Sequence, residues 1–501
     1  MVFSSLLFVF LFLTLNLVCY YSVKTIRQKN IVLLVFSLIF YAWGGAAYLL
    51  LLAGMAFWSW LCALMIQKNE EQKTRKLWMW AECLVLLGLL IFFKYMNFLT
   101  GNLSALIGFP KEATKIILPI GISFYTFQLL SYVVDVYRKE VAAQPAYWKL
   151  LLYCSLFHQC IAGPIVRYQT VASEIDDRKV TLTDLTNGIR RFSIGLAKKA
   201  ILANGCASVA DTLLANTQSA TTAGLWLGML FYMLQIYLDF SAYSDMAIGM
   251  GQMVGFHYLE NFNYPYSSVS VQDFWRRWHI TLCAWFKDYL FYPLSMSKWM
   301  NKVSRWLKKH VGKPVGSRFP VYFSSLTVWF VTGIWHGASW NFVVWGLLNS
   351  IIMLVSQELK PLYEKADNRL GYRKLKYYKV FEIIRTTAIV CCLQMLDYYR
   401  DIAEAFRMFF SMFTSVNYVA VFTKGMWSIG LSAADYIVIF AGVVIMFVVS
   451  LLERKCPVRD RLAKKNYIIR YTVFLVIFLL IAVFGIYGTG YESSQFIYNQ
   501  F

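Results

Sequence analysis

The sequence contains little charge and few groups suited to acid–base chemistry. Of its 501 residues, 15% are charged and five are histidines, whereas 59% are hydrophobic. Soluble globular domains carry about a quarter charged residues, so this composition excludes a chain made mainly of water-soluble domains. Apolar runs long enough to cross a hydrocarbon core of ~30 Å recur along the whole length. We predict one all-α polytopic membrane domain over residues 1–501, with roughly ten transmembrane helices plus re-entrant or interfacial helices.

The chain also lacks the short motifs of several enzyme classes. It has no Gly-x-Ser-x-Gly nucleophile elbow, no P-loop and no Gly-x-Gly-x-x-Gly fingerprint. No Cys-x-x-Cys pair occurs, and the ten cysteines lie mostly inside apolar runs. A metal site needs three or four ligands at defined spacing, and His279 and His336 have no third ligand nearby in sequence. We therefore expect no bound metal.

The basic excess, a net charge of +21, has a membrane explanation. Lys and Arg fall in short stretches between apolar runs, which we interpret as the positive-inside pattern and not as a nucleic-acid site. Residues 298–318, predicted as a loop, hold seven Lys or Arg and no acidic residue. Placing such loops in the cytoplasm predicts that both termini are extracytoplasmic.

Two stretches interrupt the expected pattern of plain spans. Residues 77–99 predict a crossing that ends in a nearly uncharged loop at 100–114. Residues 148–165 contain His158, Gln159 and Pro164 and are too interrupted for a plain span. We predict a broken or re-entrant helix there, which a membrane tolerates only where protein or water surrounds it.

Residues 330–350 contain the main candidate for a functional residue. They predict apolar helix on both sides of His336, with Trp335, Trp340 and Trp345 close by in sequence. An ionisable residue inside a membrane is costly, so His336 is a candidate functional residue. The alternative is a histidine that only bridges two packed helices.

A second set of polar residues lies between about 239 and 290 and includes His279. Residues 271–294 mix charged and aromatic side chains, which predicts an amphipathic element lining a funnel or lying in the interface plane. Candidates for lining a substrate path are Trp335 and Trp340 together with Tyr243, Ser244, Asn261, Asp273, Trp275 and Arg276.

Histidine suits general-base catalysis because its ordinary pKa lies near neutrality. Transfer of an acyl group from a thioester to a hydroxyl needs such a base, so His336 and His279 are the predicted catalytic residues. For His279 a non-catalytic interfacial position is the alternative. The carboxylates Asp239, Asp245 and Asp273 are expected to pair with basic residues or to cap helices.

Several longer segments resemble the membrane-bound O-acyltransferase superfamily. They are SDMAIGMG, ENFNYPY, DFWRRWHITL, GIWHGASWNFVVWGLL, LPIGISFYTFQLLSYVVDVYR and IAGPIVRYQ. The branch they resemble most is the bacterial alginate O-acetylation group, whose tail the final FIYNQF resembles. The D-alanyl-lipoteichoic-acid transfer protein is a close relative. In that branch a second histidine often follows WGLL, and here the position is Asn349.

The resemblance implies a ring of helices around a central tunnel, with His336 as the catalytic histidine and His279 as a second functional position. It implies transfer of an acyl group, acetyl first, from a cytoplasmic thioester to an extracytoplasmic cell-surface polysaccharide across a bacterial plasma membrane. The donor would be acetyl-CoA or a phosphopantetheine-linked acyl carrier protein, with no tightly bound cofactor. Expected partners are membrane lipid and an extracytoplasmic SGNH-type transferase, and no nucleic acid. D-alanyl transfer to teichoic acid, a flippase of an acylated carrier and a docking scaffold remain alternatives.

Overall fold

The structure is a computed structural model, and it describes residues 1–108, 116–159, 163–217, 220–415, 429–453 and 458–485. No β-strand occurs in those ranges. The first helices are α1 Leu7–Ser22, α2 Ile26–Ala42, α3 Ala46–Lys68, α4 Gln72–Ile107, α5 Ile122–Arg138, α6 Tyr147–Ser155, α7 Tyr168–Asp176, α8 Leu182–Ala197, α9 Asn204–Leu214 and α10 Thr222–Met253. The others are α11 Val271–Arg277, α12 Ile280–Phe286, α13 Tyr292–Ser295, α14 Lys298–His310, α15 Lys313–His336, α16 Trp340–Glu358, α17 Lys360–Leu370, α18 Tyr378–Tyr398, α19 Ile402–Thr414, α20 Ala433–Glu453, α21 Val458–Ala463 and α22 Tyr467–Phe484.

Six of the described helices are long and apolar enough to cross a membrane: α3, α4, α10, α16, α20 and α22. A helix satisfies its backbone hydrogen bonds internally, which is the condition for crossing lipid. The prediction of an all-α, multi-pass membrane protein is confirmed. The count of roughly ten crossings, the ring around a tunnel and the outside position of both termini stay predictions. The predicted family-like tail, FIYNQF, lies outside the described residues.

Two predicted loops are wrong. The residues after 99 do not begin a loop, since α4 continues to Ile107 and ends where Gly108 adopts a left-handed conformation (φ 69°). Glycine is the residue that ends helices this way without steric cost. Residues 298–318 are not a loop either, because α14 and the first turns of α15 occupy them. The basic residues of this stretch lie on the exposed face of a helix, so their charge does not indicate a loop.

The predicted interruption at 148–165 is confirmed. Helix α6 ends at Ser155, and residues 156–159 and 163–167 form no helix. The side chains of His158 and Gln159 are nonetheless fully buried. The His158 Nδ1 lies 2.7 Å from the Tyr258 hydroxyl, so the imidazole has a hydrogen-bond partner inside the protein. This agrees with the rule that irregular polar backbone at membrane depth is surrounded by protein.

The described chain divides into two compact units that interleave in sequence. The first holds Met1–Ile201, Leu238–Glu260 and the segment with α22, and the second holds Leu202–Tyr237 and Asn261–Lys465. The expected single domain stays a prediction. In the first unit, the buried Lys199 ammonium lies 2.7 Å from Asp239, and Lys198 lies 2.7 Å from Asp245, which Arg191 also contacts. Both aspartates therefore pair with basic residues, as predicted.

In the second unit, α15 and α16 pack closely in antiparallel directions. Glycines allow this approach: a Cβ on Gly346 would lie 2.3 Å from the Trp329 carbonyl oxygen, and one on Gly333 would lie 2.4 Å from that of Phe342. Small residues at such interfaces let helix backbones meet in a membrane. The turn between these two helices carries the residues that the sequence singles out.

Candidate active site

His336 is the last residue of α15, immediately before the turn into α16. The helix stops there because Gly337 is extended and the Phe342 ring fills the space beside it, where a Cβ would lie 2.3 Å from a ring carbon. Aromatic rings surround the imidazole. Ring centroids lie 4.6 Å away for Trp345, 5.1 Å for Trp335 and 6.2 Å for Phe342. The prediction of helix on both sides of His336 is confirmed.

His279 lies in a break between α11 and α12. Its backbone is left-handed (φ 44°), which is uncommon for a residue with a side chain, and its side chain is 2% exposed. The predicted amphipathic element over 271–294 is thus not continuous. Strained backbone that persists in a buried place is typical of functional sites, where neighbouring contacts hold it.

Asn261 supplies those contacts. Its backbone carbonyl accepts from the Ile280 N–H at 3.0 Å, just after the strained residue. Its side-chain Oδ1 lies 3.0 Å from His279 Nδ1, 2.9 Å from the Thr281 hydroxyl and 3.3 Å from the Thr281 N–H. Asn261 therefore holds both the chain and the ring at His279.

Trp335 lies beside both histidines. Its ring centroid is 5.9 Å from that of His279 and 5.1 Å from that of His336. The two histidines also interact electrostatically. The structure thus brings together two imidazoles that are 57 residues apart in sequence, as required if they act on one substrate.

A tryptophan cluster, Trp275, Trp329 and Trp345, flanks His336. The Trp275 centroid lies 4.9 Å from that of Trp329 and 5.5 Å from that of Trp345. Asn349 orients this cluster, since its Oδ1 accepts from the Trp275 indole N–H at 2.9 Å and its Nδ2 donates to the Trp345 carbonyl at 2.9 Å. The residue in place of a second histidine is therefore a hydrogen-bond partner of the site.

Asp273 pairs with basic residues, as predicted. It contacts the guanidinium groups of Arg276 and Arg277, the latter at 3.1 Å. Partial burial would raise the pKa of Asp273, but hydrogen bonds from Arg277 and Arg276 hold it below its ordinary value. The Arg276 side chain is 77% exposed, so it extends away from the buried residues of its own helix.

The remaining predicted residues have different surroundings. Tyr243 and Ser244 belong to the first unit, where both are buried on α10 and the Tyr243 ring stacks on Phe3 with a centroid distance of 4.4 Å. Trp340 begins α16 and is 53% exposed. Sequence reasoning placed Trp345 near His336 but missed Thr281 and Trp329 as site residues. The available signal for Trp329 was its position on the apolar helix that ends at His336.

Comparison with known proteins agrees with these motifs. The chain matches the sequence profile of MBOAT, the membrane-bound O-acyltransferase family, over residues 64–303 and 295–396. It is similar to a probable alginate O-acetylase of Azotobacter vinelandii, with 35% identity over 419 residues that cover 83% of this chain and 78% of that protein. All residues of the candidate site lie inside the matched ranges.

Two further relatives act on other polymers, according to their names. A peptidoglycan O-acetyltransferase of Helicobacter pylori is 32% identical over 386 residues, covering 71% of this chain and 70% of that protein. A teichoic acid D-alanyltransferase of Bacillus subtilis is 29% identical over 243 residues, covering 47% of this chain and 58% of that protein.

Proposed function

Since the chain belongs to the membrane-bound O-acyltransferase family, we propose that it acetylates hydroxyl groups of a cell-surface polysaccharide. The protein is a multi-pass membrane acyltransferase. The acetyl group would pass from a cytoplasmic thioester to an extracytoplasmic acceptor across a bacterial plasma membrane. The similarity to alginate and peptidoglycan O-acetylating proteins supports a polysaccharide acceptor.

The observation that carries the proposal is that His336 and His279 both lie beside Trp335. In the proposed step, His336 takes the proton of the acceptor hydroxyl as its oxygen attacks the thioester carbonyl carbon. The C–O bond forms and the C–S bond breaks. The proton then passes from the imidazolium to the leaving thiolate, so no acylated protein side chain is required.

The position of His336 at the end of α15 favours this role. The carboxyl end of a helix carries a partial negative charge, which stabilises the imidazolium that forms when His336 takes the proton. The imidazole is half-buried among aromatic rings, and partial shielding from water strengthens electrostatic interactions at it. His279 would orient the donor or the acceptor beside it.

The positive charge of α14 and the family resemblance together suggest the acyl donor and the partner proteins. The exposed cations of α14 attract an anionic donor, either acetyl-CoA or a phosphopantetheine-linked acyl carrier protein. An extracytoplasmic SGNH-type transferase would complete delivery to the polymer, and membrane lipid surrounds the spans. The second candidate is D-alanyl transfer to teichoic acid, supported by the lower and shorter similarity to the Bacillus subtilis protein.

The test is acyl transfer by His336→Ala in membranes, with His257→Ala, which replaces an exposed histidine outside the site, as the matched control. Loss of a general base lowers the rate by roughly 10²–10⁴-fold, so His336→Ala should lose polymer acetylation while its expression and insertion persist. His257→Ala should retain it. Wild-type acetylation by His336→Ala contradicts the mechanism, and labelled donor that crosses the bilayer unchanged indicates a transporter.

A further inference from the structure

We propose that Asn261 is a positioning residue that fixes the tautomer of His279, so that Nε2 of the neutral imidazole carries the lone pair. The inference rests on the proposed acyl transfer and deepens it, because it states what His279 can do in that reaction. With its lone pair on Nε2, His279 can accept a hydrogen bond from the thiol that leaves the donor. Only after gaining a proton can this nitrogen donate to an oxyanion.

The first step is the identity of the amide atom in contact with Thr281. A backbone N–H is a donor and never an acceptor, so the Asn261 atom that faces it must be the carbonyl oxygen and not the amide nitrogen. The Thr281 N–H lies 3.3 Å from this atom, and the Thr281 hydroxyl lies 2.9 Å from it. Thr281 therefore determines which way the Asn261 amide is turned.

The second step concerns the histidine ring. The same Asn261 oxygen lies 3.0 Å from His279 Nδ1. An amide oxygen only accepts, so the hydrogen bond requires the proton to be on Nδ1. A neutral imidazole has one N–H, and Nε2 is then the acceptor nitrogen. A partner that fixes the tautomer from the opposite side of the ring is a common device for reactive histidines.

The ring cannot easily turn to offer Nδ1 instead. The His279 backbone is held in its left-handed conformation between Trp278 and the Ile280 N–H, which donates to the Asn261 carbonyl at 3.0 Å. The side chain is buried, and the Trp335 ring lies against it. One asparagine thus fixes the backbone through its carbonyl and the imidazole through its amide.

The assignment has a consequence for proton movement. When Nε2 gains a proton, Nδ1 keeps its own, so the bond to Asn261 persists and no side chain has to rearrange. His336 is a titratable group that interacts with this imidazole. Two adjacent imidazolium ions repel each other, so at most one of the two rings is protonated at a time. While His336 takes the hydroxyl proton, neutral His279 can therefore accept a hydrogen bond from the leaving thiol.

The direct test is magic-angle-spinning NMR of ¹⁵N,¹³C-histidine-labelled protein in lipid bilayers. The chain has five histidines, and the His279→Gln variant assigns the His279 signals by their loss. We expect the ring shifts of a neutral Nδ1–H imidazole above the pH at which His279 titrates. A neutral Nε2–H ring at this position overturns the proposal. This readout needs no turnover, so it stands or fails independently of the acyltransferase mechanism.

The kinetic test compares two substitutions of Asn261. Asn261→Leu removes the acceptor and frees the tautomer, and we expect the rate to fall by roughly 10²-fold, the lower end of an acid–base contribution. Asn261→Asp keeps the acceptor and adds a negative charge that favours imidazolium. It should retain more activity than Asn261→Leu, with the acid limb of the pH–rate profile displaced to higher pH.

The matched control is Asn263→Ala, an exposed asparagine in the same turn. It should leave rate and pH profile unchanged. Equal losses in Asn261→Leu and Asn261→Asp, with an unshifted profile, would indicate that Asn261 only supports the fold and would contradict the proposal. If His336→Ala stays active while the Nδ1–H tautomer is observed, the proposed mechanism fails and the tautomer assignment holds.

Discussion

Replacing Asn349 by leucine removes the acceptor of the Trp275 indole N–H while nearly conserving side-chain volume. Asn349 is 1% exposed, so water cannot replace the lost acceptor. A buried donor left without a partner costs about 1–3 kcal/mol. The second bond of Asn349, to the Trp345 carbonyl, adds little, because that carbonyl still accepts the helical N–H of residue 349. We therefore expect Asn349→Leu to destabilise the protein by about 1–3 kcal/mol.

A double-mutant cycle with Trp275→Phe isolates the hydrogen bond. Trp275→Phe removes the donor and leaves the Asn349 oxygen unmatched, while the double variant Trp275→Phe/Asn349→Leu has neither group. Replacing both partners by apolar groups avoids the unsatisfied atom. The double variant should therefore be more stable than the sum of the single losses predicts, by about 0.5–3 kcal/mol.

The measurement is equilibrium unfolding of the four proteins in mixed micelles with an increasing fraction of SDS, followed by tryptophan fluorescence. Acyl transfer is assayed on the same samples, since the Trp345 centroid lies 4.6 Å from that of His336. Losses that add within error would show that Trp275 and Asn349 do not interact in the folded protein. The arrangement of the tryptophan cluster would then be refuted.

Two further predictions concern the close contact between α15 and α16 and the ion pairs of Asp273. Gly346→Ala should separate α15 from α16 and lower the free energy of unfolding by more than about 1–3 kcal/mol, because the new Cβ would lie 2.3 Å from a backbone oxygen. The control Gly54→Ala, on α3, has nothing within 4 Å of the new Cβ and should raise the free energy of unfolding by up to about 1 kcal/mol. Thermal unfolding of both variants checks this. The pKa of Asp273 is lowered on folding, so its ion pairs with Arg276 and Arg277 stabilise fully above the ordinary carboxyl pKa of about 3.9 and are lost as pH falls through the folded value. The melting difference between wild type and Asp273→Asn should thus stay constant from pH 5 to 8, and a difference that shrinks within that window would contradict the assignment.

Helix content was predictable because it depends on local pattern. The sequence predicts apolar elements over residues 46–66, 222–256 and 432–452, and α3, α10 and α20 occupy these ranges to within a few residues. The errors arose where charge was taken as a sign of loop, as in α14. A basic helix that buries Met300 and Ser304 on one face while exposing its lysines needs only an amphipathic pattern. Composition alone does not distinguish such a helix from a loop.

The site was predictable in its residues but not in its bonds. His336 and Trp335 stand out in a single apolar stretch, whereas Trp275 and Asn349 are 74 residues apart and meet only when α11 packs beside α16. The break at His279 was missed because no glycine or proline marks it. Asn261, 18 residues earlier, helps to hold this left-handed histidine in place.

Family resemblance shows at Asn349 only that a histidine common in the alginate branch is absent. The structure adds what the asparagine does: its oxygen accepts from the Trp275 indole N–H, and its nitrogen donates to the Trp345 backbone carbonyl. The position therefore holds the Trp275 ring within the tryptophan cluster. The proposed proton transfer requires no further base on α16, because His336 and His279 both lie beside Trp335. In that proposal Asn261 holds the His279 ring, and Asn349 holds the Trp275 ring that packs on Trp345 beside His336.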